Sequence, residues 1–283
     1  MNRTSGSLIF LAVIQVVFFS QLKGQIVGFN KIKWETERIA PGLLWKSSHT
    51  FINDTIPQNF NVLIINLKKR KISLFYKPEK NIILSEQALE SGAIAAVNAG
   101  FFNIRDGGSV TYIRTDGEIK DSDTAKIWSR GENKTGSILI NNEGEVLIDK
   151  SYTNSWFDSH PEFKDVLLTG PLLLDGKVRQ QLPLTPLVVI KHPRTVVGKK
   201  GNHIVVVLTI DGRTDQAAGM TLNEVAELML LFKCKDAVNL DGGGSTTMWI
   251  SGKPFNGVVN MPSDNKKFDH AGERPVSDIL IIK

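Results

Sequence analysis

The sequence predicts an α/β or α+β fold, in which a strand-rich, mixed sheet system and a few packed helices form a single domain. Short apolar or alternating segments recur along the chain, and turn sequences such as Asp116-Gly117 and Ser251-Gly252 separate them. Two segments stand out with the period of an amphipathic helix. With 283 residues, of which 41% are hydrophobic, the chain is long enough to bury a large core.

The N-terminal segment resembles a secretory signal peptide. Arg3 precedes an apolar run over residues 8–19, which is short for a membrane-spanning helix. No clear small-residue cleavage site follows, so the leader is expected to end near Gly24, and a buried N-terminal helix is the alternative. We therefore predict a signal peptide over 1–24 and a secreted or periplasmic location. No membrane span is predicted in the mature chain.

An irregular lead-in is predicted over 25–60 and the main domain over 61–283. The segments of the main domain with strand composition share β-branched and apolar residues bounded by turn chemistry. They are NVLIINL (61–67), KISLFY (71–76), AIAAV (93–97), SVTYI (109–113), SILI (137–140), EVLI (145–148), DVLL (165–168), IVVVLTI (204–210), DAVNL (236–240), TTMWI (246–250) and DILII (278–282).

Two segments predict helices. LSEQALES (84–91) is followed by Gly92, a residue that commonly ends a helix. TLNEVAELMLLF (221–232) opens on Thr221 with Glu224 three positions later, which is the spacing of a capping box.

Each predicted helix leads into an apolar strand that ends in a polar turn containing asparagine. These turns are VNAGFFN (97–103) and VNLDGGGSTT (238–247). Since ligand sites in α/β sheets gather beyond such strand ends, we expect both turns to supply the functional site at one rim of the sheet system.

Composition argues against several classes of function. The chain has 34 Lys and Arg against 29 Asp and Glu; loss of Arg3 and Lys23 with the leader leaves 32 against 29, about +3. Because the basic residues are scattered, no nucleic-acid partner is predicted. Cys234, the only cysteine, is interpreted as a packed core residue. No His/Cys cluster suggests zinc, so no metal and no cofactor are predicted, with a hard cation shared by Asp211 and Asp241 as the alternative.

The segment NLDGGGSTTM (239–248) joins a strand end, a carboxylate, a glycine triplet and three hydroxyl side chains. It lacks the lysine of a phosphate-binding P-loop and the spacing of a dinucleotide-binding loop or a nucleophile elbow. Glycines permit positive φ and close approach of a ligand, so successive amides could converge on an anion. We interpret Gly242, Gly243 and Gly244, with Ser245 and Thr246, as an anion-binding loop. A tight hairpin is the alternative.

This segment is similar to the signature of the phosphodiester glycosidase family. The resemblance covers about residues 60–283. It also rests on motifs that follow in order: VNAGFF (97–102), TGPLL (169–173), HPRTVVG (192–198), LTIDGR (208–213), GMTLNEVAELM (219–229) and ERPVSDILI (273–281). It implies a hydrolase that cleaves the glycosidic bond of a sugar-1-phosphodiester, of the N-acetylglucosamine–phosphate–sugar type, and releases the sugar and a phosphomonoester. The stretch Lys199-Lys200-Gly201 and the segment LFKCKDA depart from the family pattern without touching the polar motifs.

For such a reaction Asp241 is the leading candidate for nucleophile or water-activating base. Asp211 is the second carboxylate or holds Arg213. Arg194 and Arg213 are expected to bind phosphate oxygens, because a guanidinium group offers a forked set of donors. The glycine amides, Ser245 and Thr246 would complete the phosphate site.

The remaining site candidates are polar residues of the same motifs. Asn98, Asn103 and Asn239 are expected to bind sugar hydroxyls or to orient the acids, and His192 and Arg274 to bind substrate. Structural alternatives stay open for Asp211 as a turn residue, for Arg274 as the partner of an acid, for Asn98 as a strand cap and for His192 as a loop residue. Two rival functions also remain: a non-catalytic module that binds phosphoglycans or other carbohydrates, and a metal-dependent phosphodiesterase that cleaves the P–O bond.

Overall fold

The fold is taken from a computed structural model of the chain, which describes residues 29, 31–77, 81–122 and 133–283. The predicted signal peptide lies outside the described residues. Three sheets of eight, five and four strands make up this part of the chain, and neighbouring strands within each sheet run antiparallel. The α+β class and the strand-rich single domain are therefore confirmed.

The eight-stranded sheet is the largest. In spatial order its strands are β1 (Glu35–Ala40), β2 (Leu43–Ile52), β3 (Ile56–Asn66), β14 (Ile204–Ile210), β13 (Arg194–Lys200), β15 (Asp236–Asn239), β11 (Leu172–Asp175) and β12 (Val178–Arg179).

The prediction of an irregular lead-in is wrong for its described part, because β1, β2 and the start of β3 lie there. Strand β1, with sequence ETERIA, is largely exposed at the sheet edge and has no strong apolar alternation. Gly42 allows the tight β1–β2 turn, since its φ is +82°. Charged residues on an edge strand discourage pairing with other chains, and the same charges weaken the sequence signal for a strand.

The two smaller sheets contain the remaining strands. The five-stranded sheet has the order β7 (Glu118–Asp121), β6 (Ile113–Thr115), β10 (Phe163–Thr169), β8 (Gly136–Asn141) and β9 (Val146–Lys150). The four-stranded sheet has the order β16 (Met248–Ile250), β5 (Ala95–Asn98), β17 (Asp278–Ile282) and β4 (Ile72–Tyr76).

The strand predicted over 109–113 is displaced, because only its last residue belongs to β6. Ser109 instead forms an isolated bridge to Phe102, and its hydroxyl donates to the Thr111 carbonyl at 2.8 Å. Local hydrogen bonding of a serine therefore replaces ladder pairing in this segment.

Both predicted helices are present as α1 (Leu84–Ser91) and α4 (Leu222–Leu231). Gly92 ends α1 in the left-handed conformation, and the Thr221–Glu224 capping box begins α4. The described part also contains two short helices, α2 (Asn154–Asp158) and α3 (Pro186–Val189), which are too brief to show a helical period in the sequence. No helix among these residues is both apolar and long enough to cross a bilayer.

The inner faces of the three sheets share one apolar core. Leu63 of the largest sheet, Ile138 of the five-stranded sheet and Leu280 of the four-stranded sheet belong to the same buried cluster. Helices cover the outer faces, with Met229 of α4 packed in a second cluster on the largest sheet. Buried Cys234 packs against Gly198, so the thiol is a core residue as predicted. Each buried side chain of this size contributes about 1.5–3 kcal/mol, so the sheets are held face to face mainly by this core.

Candidate active site

A cavity of about 560 Å³ opens where the three sheets meet. Asp241 follows β15 of the largest sheet, Phe101 follows β5 of the four-stranded sheet, and Lys134 precedes β8 of the five-stranded sheet. The polar residues lining the cavity are Asn133, Lys134, Thr185, His192, Asp241 and Arg274. Within this lining, Asp241 is the only carboxylate.

Asp241 is held in place by the end of β5. The Asn98 side-chain amide donates to the Asp241 carbonyl at 2.7 Å, and the Asp241 amide donates to the Ala99 carbonyl at 2.9 Å. Asn98 Oδ1 in turn accepts from the Thr195 hydroxyl at 2.7 Å and from the Thr247 amide at 3.1 Å. The two asparagine-bearing turns therefore do meet, although their strands belong to different sheets. Asn98 fixes the backbone of Asp241, and these bonds use its amide nitrogen and oxygen.

The environment of Asp241 raises the pKa of its carboxyl to about 6. Burial is the main cause, while Ser245, the Gly242 amide, Arg274 and Arg213 lower the pKa. The Ser245 hydroxyl lies near the carboxylate but has no partner at ordinary hydrogen-bond geometry among the described residues. At neutral pH Asp241 is thus mostly ionised, the state that a nucleophile or a base requires.

The amides of the glycine triplet and the space beside it are used mainly by contacts within the protein. The Gly243 amide donates to the Pro193 carbonyl at 2.9 Å, and the Gly242 amide supports Asp241. A Cβ on Gly243 would lie 2.8 Å from the Arg213 guanidinium, and a Cβ on Gly244 would overlap Arg274. Bare backbone here lets two guanidinium groups approach the loop. These contacts do not form the expected anion-binding loop, in which the glycine amides would converge on a ligand.

Two arginines and a histidine surround this loop. Arg274 lines the cavity, and its Nε donates to Asp264 Oδ1 at 2.8 Å, so it both faces the cavity and pairs with an acid. Arg213 Nη2 lies 3.4 Å from His192 Nδ1. Since the guanidinium can only donate, Nδ1 accepts and the ring proton lies on Nε2. Burial, Arg194 and Arg213 lower the pKa of His192, so its imidazole is neutral at pH 7.

Arg194 does not reach the cavity. It is 1% exposed, and it donates through Nε to the Met220 carbonyl at 2.8 Å and through Nη2 to the carbonyls of Leu187 and Ile190 at 2.7 Å each. Its expected role as a phosphate ligand is therefore replaced by that of an anchor for the segment around α3, which forms one cavity wall. Burial lowers the pKa of this guanidinium to about 10.

Asp211 is likewise buried away from the cavity lining. Its oxygens accept from the Asn59 amide at 2.6 Å, the Asn260 amide at 2.7 Å and the Met261 N–H at 2.9 Å. Asn260 also donates to the Thr246 carbonyl at 3.0 Å, so Asp211 supports the loop behind Asp241. Burial raises the pKa of Asp211 to about 6. Asp211, the expected second carboxylate, thus binds the loops behind Asp241 and does not line the cavity.

The other asparagines and hydroxyl residues of the candidate set also lie outside the lining. Asn103 closes a local turn by accepting from the Arg105 and Asp106 amides. Asn239 donates to the Gly170 carbonyl at 2.9 Å. The hydroxyls of Ser245 and Thr246 are buried.

Two ionisable residues near the site were not predicted. Lys134 lines the cavity and donates to the Val110 carbonyl at 3.0 Å, and burial lowers its pKa to about 8. Asp278 accepts from the Gly100 amide, and burial, with a contribution from Asp241, raises its pKa to about 7. Asp278 is marked in the sequence as an acid inside the apolar segment of the motif ERPVSDILI, whereas no sequence signal marks Lys134.

Among the residues that the structure describes, no group of three or more His, Cys, Asp and Glu side chains is placed to hold a metal ion. Asp211 and Asp241 do not face a common space, since only Asp241 lines the cavity. The described donors therefore do not form the shared cation site considered as an alternative.

Comparison with known proteins agrees with the motifs. The family model described as phosphodiester glycosidase matches residues 91–283. The N-acetylglucosamine-1-phosphodiester alpha-N-acetylglucosaminidase of Bos taurus is 26% identical over 202 residues, which are 66% of this chain and 36% of the bovine protein. The matched stretches span 11% to 37% of the length of the curated relatives.

Two solved structures share the fold. The zebrafish N-acetylglucosamine-1-phosphodiester alpha-N-acetylglucosaminidase catalytic domain, described as auto-inhibited by its pro-peptide, superposes with a TM-score of 0.67 at 19% identity, covering 89% of this chain and 88% of that one. A hypothetical protein from Synechocystis gives a TM-score of 0.64 at 13% identity, covering 88% and 63%.

Proposed function

Because this chain belongs to the phosphodiester glycosidase family, we propose that it hydrolyses the glycosidic bond of a sugar-1-phosphodiester and releases the sugar and a phosphomonoester. One observation carries the proposal: Asp241, the one carboxylate in the lining, shares the cavity with the cationic side chains of Arg274 and Lys134, and Arg274 lies near enough to lower the pKa of Asp241. Cationic side chains in a cavity favour an anionic substrate. An acid of raised pKa in a cavity with cationic side chains suits attack at a sugar carbon that carries a phosphate leaving group.

The leaving group explains how one carboxylate is enough. A phosphomonoester has a second pKa of about 6, so it departs from the anomeric carbon with little protonation, unlike a sugar alkoxide. Arg274 would bind the non-bridging phosphate oxygens and stabilise the charge that develops on them, with Arg213 behind it. Asp241 would attack the anomeric carbon or take a proton from the attacking water. Neutral His192 would donate from Nε2 to a phosphate or sugar oxygen.

Asp241→Asn tests this proposal. Asparagine keeps the size of the side chain but removes the nucleophile or base, so turnover of methyl N-acetylglucosamine-1-phosphodiester should fall by about 10²-fold or more. Asp175→Asn, a substitution at an exposed carboxylate at the end of β11, is the matched control and should retain turnover. Wild-type turnover by the Asp241 variant would remove this residue from the mechanism.

The bond that breaks separates this activity from its rivals. In oxygen-18 water, a glycosidase places the label in the released sugar, whereas cleavage of the P–O bond places it in the phosphate. A binding module would show saturable binding of the diester without release of reducing sugar. Label recovered in phosphate would replace the proposed reaction with a phosphodiesterase reaction.

We also propose that the mature protein acts outside the cytoplasm, on the basis of the leader-like sequence over 1–24. Cell fractionation and N-terminal sequencing of the natural protein test this: an intact Met1 on a cytoplasmic protein would contradict it.

A further inference from the structure

The cavity wall has a large apolar part. Half of its twelve lining residues are apolar, and this apolar wall consists of Phe101, Phe102, Ile104, Val110, Pro186 and Leu187. Two polar lining residues bind each other, since the Thr185 hydroxyl donates to Asn133 Oδ1 at 2.9 Å, and this bond uses part of their hydrogen-bonding capacity. A sugar ring carries hydroxyls around its edge that need donors and acceptors, so this wall suits a hydrocarbon better than a second sugar.

The apolar surface continues to the mouth of the cavity. Ile104, which lines the cavity, is 66% exposed, and Pro186, another lining residue, is also exposed. Leu184 and Ile190, on either side of α3, are 89% and 49% exposed. Large apolar side chains clustered at one opening have a cost in water that the fold does not require, and such patches commonly mark binding surfaces.

This rim is fixed in position. Arg194 holds the carbonyls of Leu187 and Ile190 at 2.7 Å, and its own side chain is buried. The buried Arg194 therefore fixes the backbone of the apolar segment around α3. A surface ordered before the ligand arrives loses less conformational entropy on binding, so its contact area converts more fully into affinity.

The acidic and apolar faces belong to one continuous cavity. A phosphodiester held with its anomeric carbon at Asp241 and its phosphate at Arg274 would extend its second ester substituent along the apolar wall toward Ile104. We infer that this substituent is an apolar chain, an alkyl or isoprenoid alcohol joined to the phosphate, so that the substrate is a sugar-1-phospholipid. The inference rests on the glycosidase function proposed above and specifies its aglycone.

A series of N-acetylglucosamine-1-phosphate esters with methyl, butyl, hexyl and octyl groups, each below its micellar concentration, tests the inference. Burial of each methylene should raise kcat/KM by about two- to fourfold until the wall is filled. The matched diester with a second sugar on the phosphate should be a poorer substrate than the octyl ester. Equal kcat/KM along the series, or a preference for the second sugar, would overturn the inference and leave the glycosidase function intact.

Two exposed residues provide a matched pair of variants. Ile104→Ser should flatten the dependence of kcat/KM on chain length, because only long chains reach the rim. Val178→Ser is the control, since Val178 is 65% exposed at the sheet edge and does not line the cavity. An Ile104→Ser protein with the wild-type chain-length dependence would count against the apolar wall as the aglycone site.

A binding measurement separates failure of the inference from failure of the proposed reaction. Octyl phosphate and ethyl phosphate share the anionic head and differ in the chain, and calorimetry needs no turnover. Octyl phosphate should bind at least tenfold more tightly to the wild-type protein, with the difference reduced in Ile104→Ser. If no ester is hydrolysed but this difference appears, the reaction is wrong and the apolar site stands. Equal affinities would refute the site.

Discussion

At the scale of single residues, the ionisation of the cavity groups decides when the site is active. Asp241, with a pKa raised to about 6 by burial, must be ionised to act, so kcat/KM should rise with pH through about 6. Lys134, with a pKa lowered to about 8 by burial, loses its positive charge above that pH and attracts an anionic substrate less. We expect a bell-shaped profile of kcat/KM.

One variant tests the assignment of the acidic limb of the pH profile to Asp241 and of the alkaline limb to Lys134. Lys134→Met removes the titrating cation, so the alkaline fall should disappear while the acidic limb stays near pH 6. The measurement is kcat/KM for the methyl ester across pH, and Lys120→Met, at an exposed strand position, serves as control. An alkaline limb that survives in Lys134→Met would assign it to another group.

The sequence identifies the charged and polar residues of the motifs, but it does not show which of them line the cavity. Asp241, His192 and Arg274 were expected at the site, and they line the cavity. Arg194 and Asp211 are equally plausible from their motifs, yet Arg194 donates to buried backbone carbonyls, and Asp211 accepts from amides as distant in sequence as Asn59 and Asn260. Whether a charged group faces a cavity or a buried hydrogen-bond network depends on packing between sheets, which local spacing does not encode.

At the scale of elements, the loop after β15 depends on the absence of a side chain at Gly244. A Cβ there would lie 2.3 Å from Arg274 Nη2 and 2.5 Å from Asp264 Oδ1. Gly244→Ala should therefore displace the guanidinium from the cavity and raise KM for the diester by about tenfold, the effect of losing one charge-assisted contact. Steady-state kinetics on the methyl ester measure this change.

Gly252→Ala gives the complementary result. This turn glycine has a φ of +76° and open space around its Cβ position, so alanine there is strained without touching the site. It should lower the free energy of unfolding by about 1 kcal/mol and leave KM unchanged. If both glycine variants changed KM equally, the contact between Gly244 and Arg274 would not be the cause.

Elements with strong local signals were predictable. The helix caps of α1 and α4 are set by Gly92, Thr221 and Glu224, and β14 and β17 are uninterrupted apolar runs. Strand β1 is polar at the sheet edge, and α3 is a single turn with carbonyls, in it and just after it, bound by the buried Arg194, so packing rather than local sequence pattern defines both elements.

At the scale of the whole molecule, buried acids link stability to pH. Burial raises the pKa of Asp211 and Asp241 to about 6 and that of Asp278 to about 7, above the value of about 4 expected in an unfolded chain. The native state therefore binds these protons more tightly than the unfolded state. The free energy of unfolding should increase as pH falls from about 8 to about 5 and level off below about 4.

Asp278→Asn tests this linkage at the residue with the largest shift. Asparagine cannot ionise but can still accept from the Gly100 amide, so the rise in Tm between about pH 8 and pH 5 should be smaller than in the wild-type protein. Each kcal/mol corresponds to about 2–4 °C in a domain of this size. Thermal unfolding at the two pH values measures the difference. An identical pH dependence would show that Asp278 is not the buried acid responsible.

The position of the cavity at the meeting point of three sheets has a consequence for how activity is lost. Asp241, Arg274 and Lys134 each lie next to a strand of a different sheet. A small shift of one sheet against another would therefore misalign these side chains before any strand unfolds. A displacement of about 1 Å can reduce turnover by about 10²-fold. Dilute urea should therefore abolish hydrolysis at concentrations where the β-sheet circular dichroism is still native. Loss of activity would then report changes in the packing between the sheets before the sheets unfold.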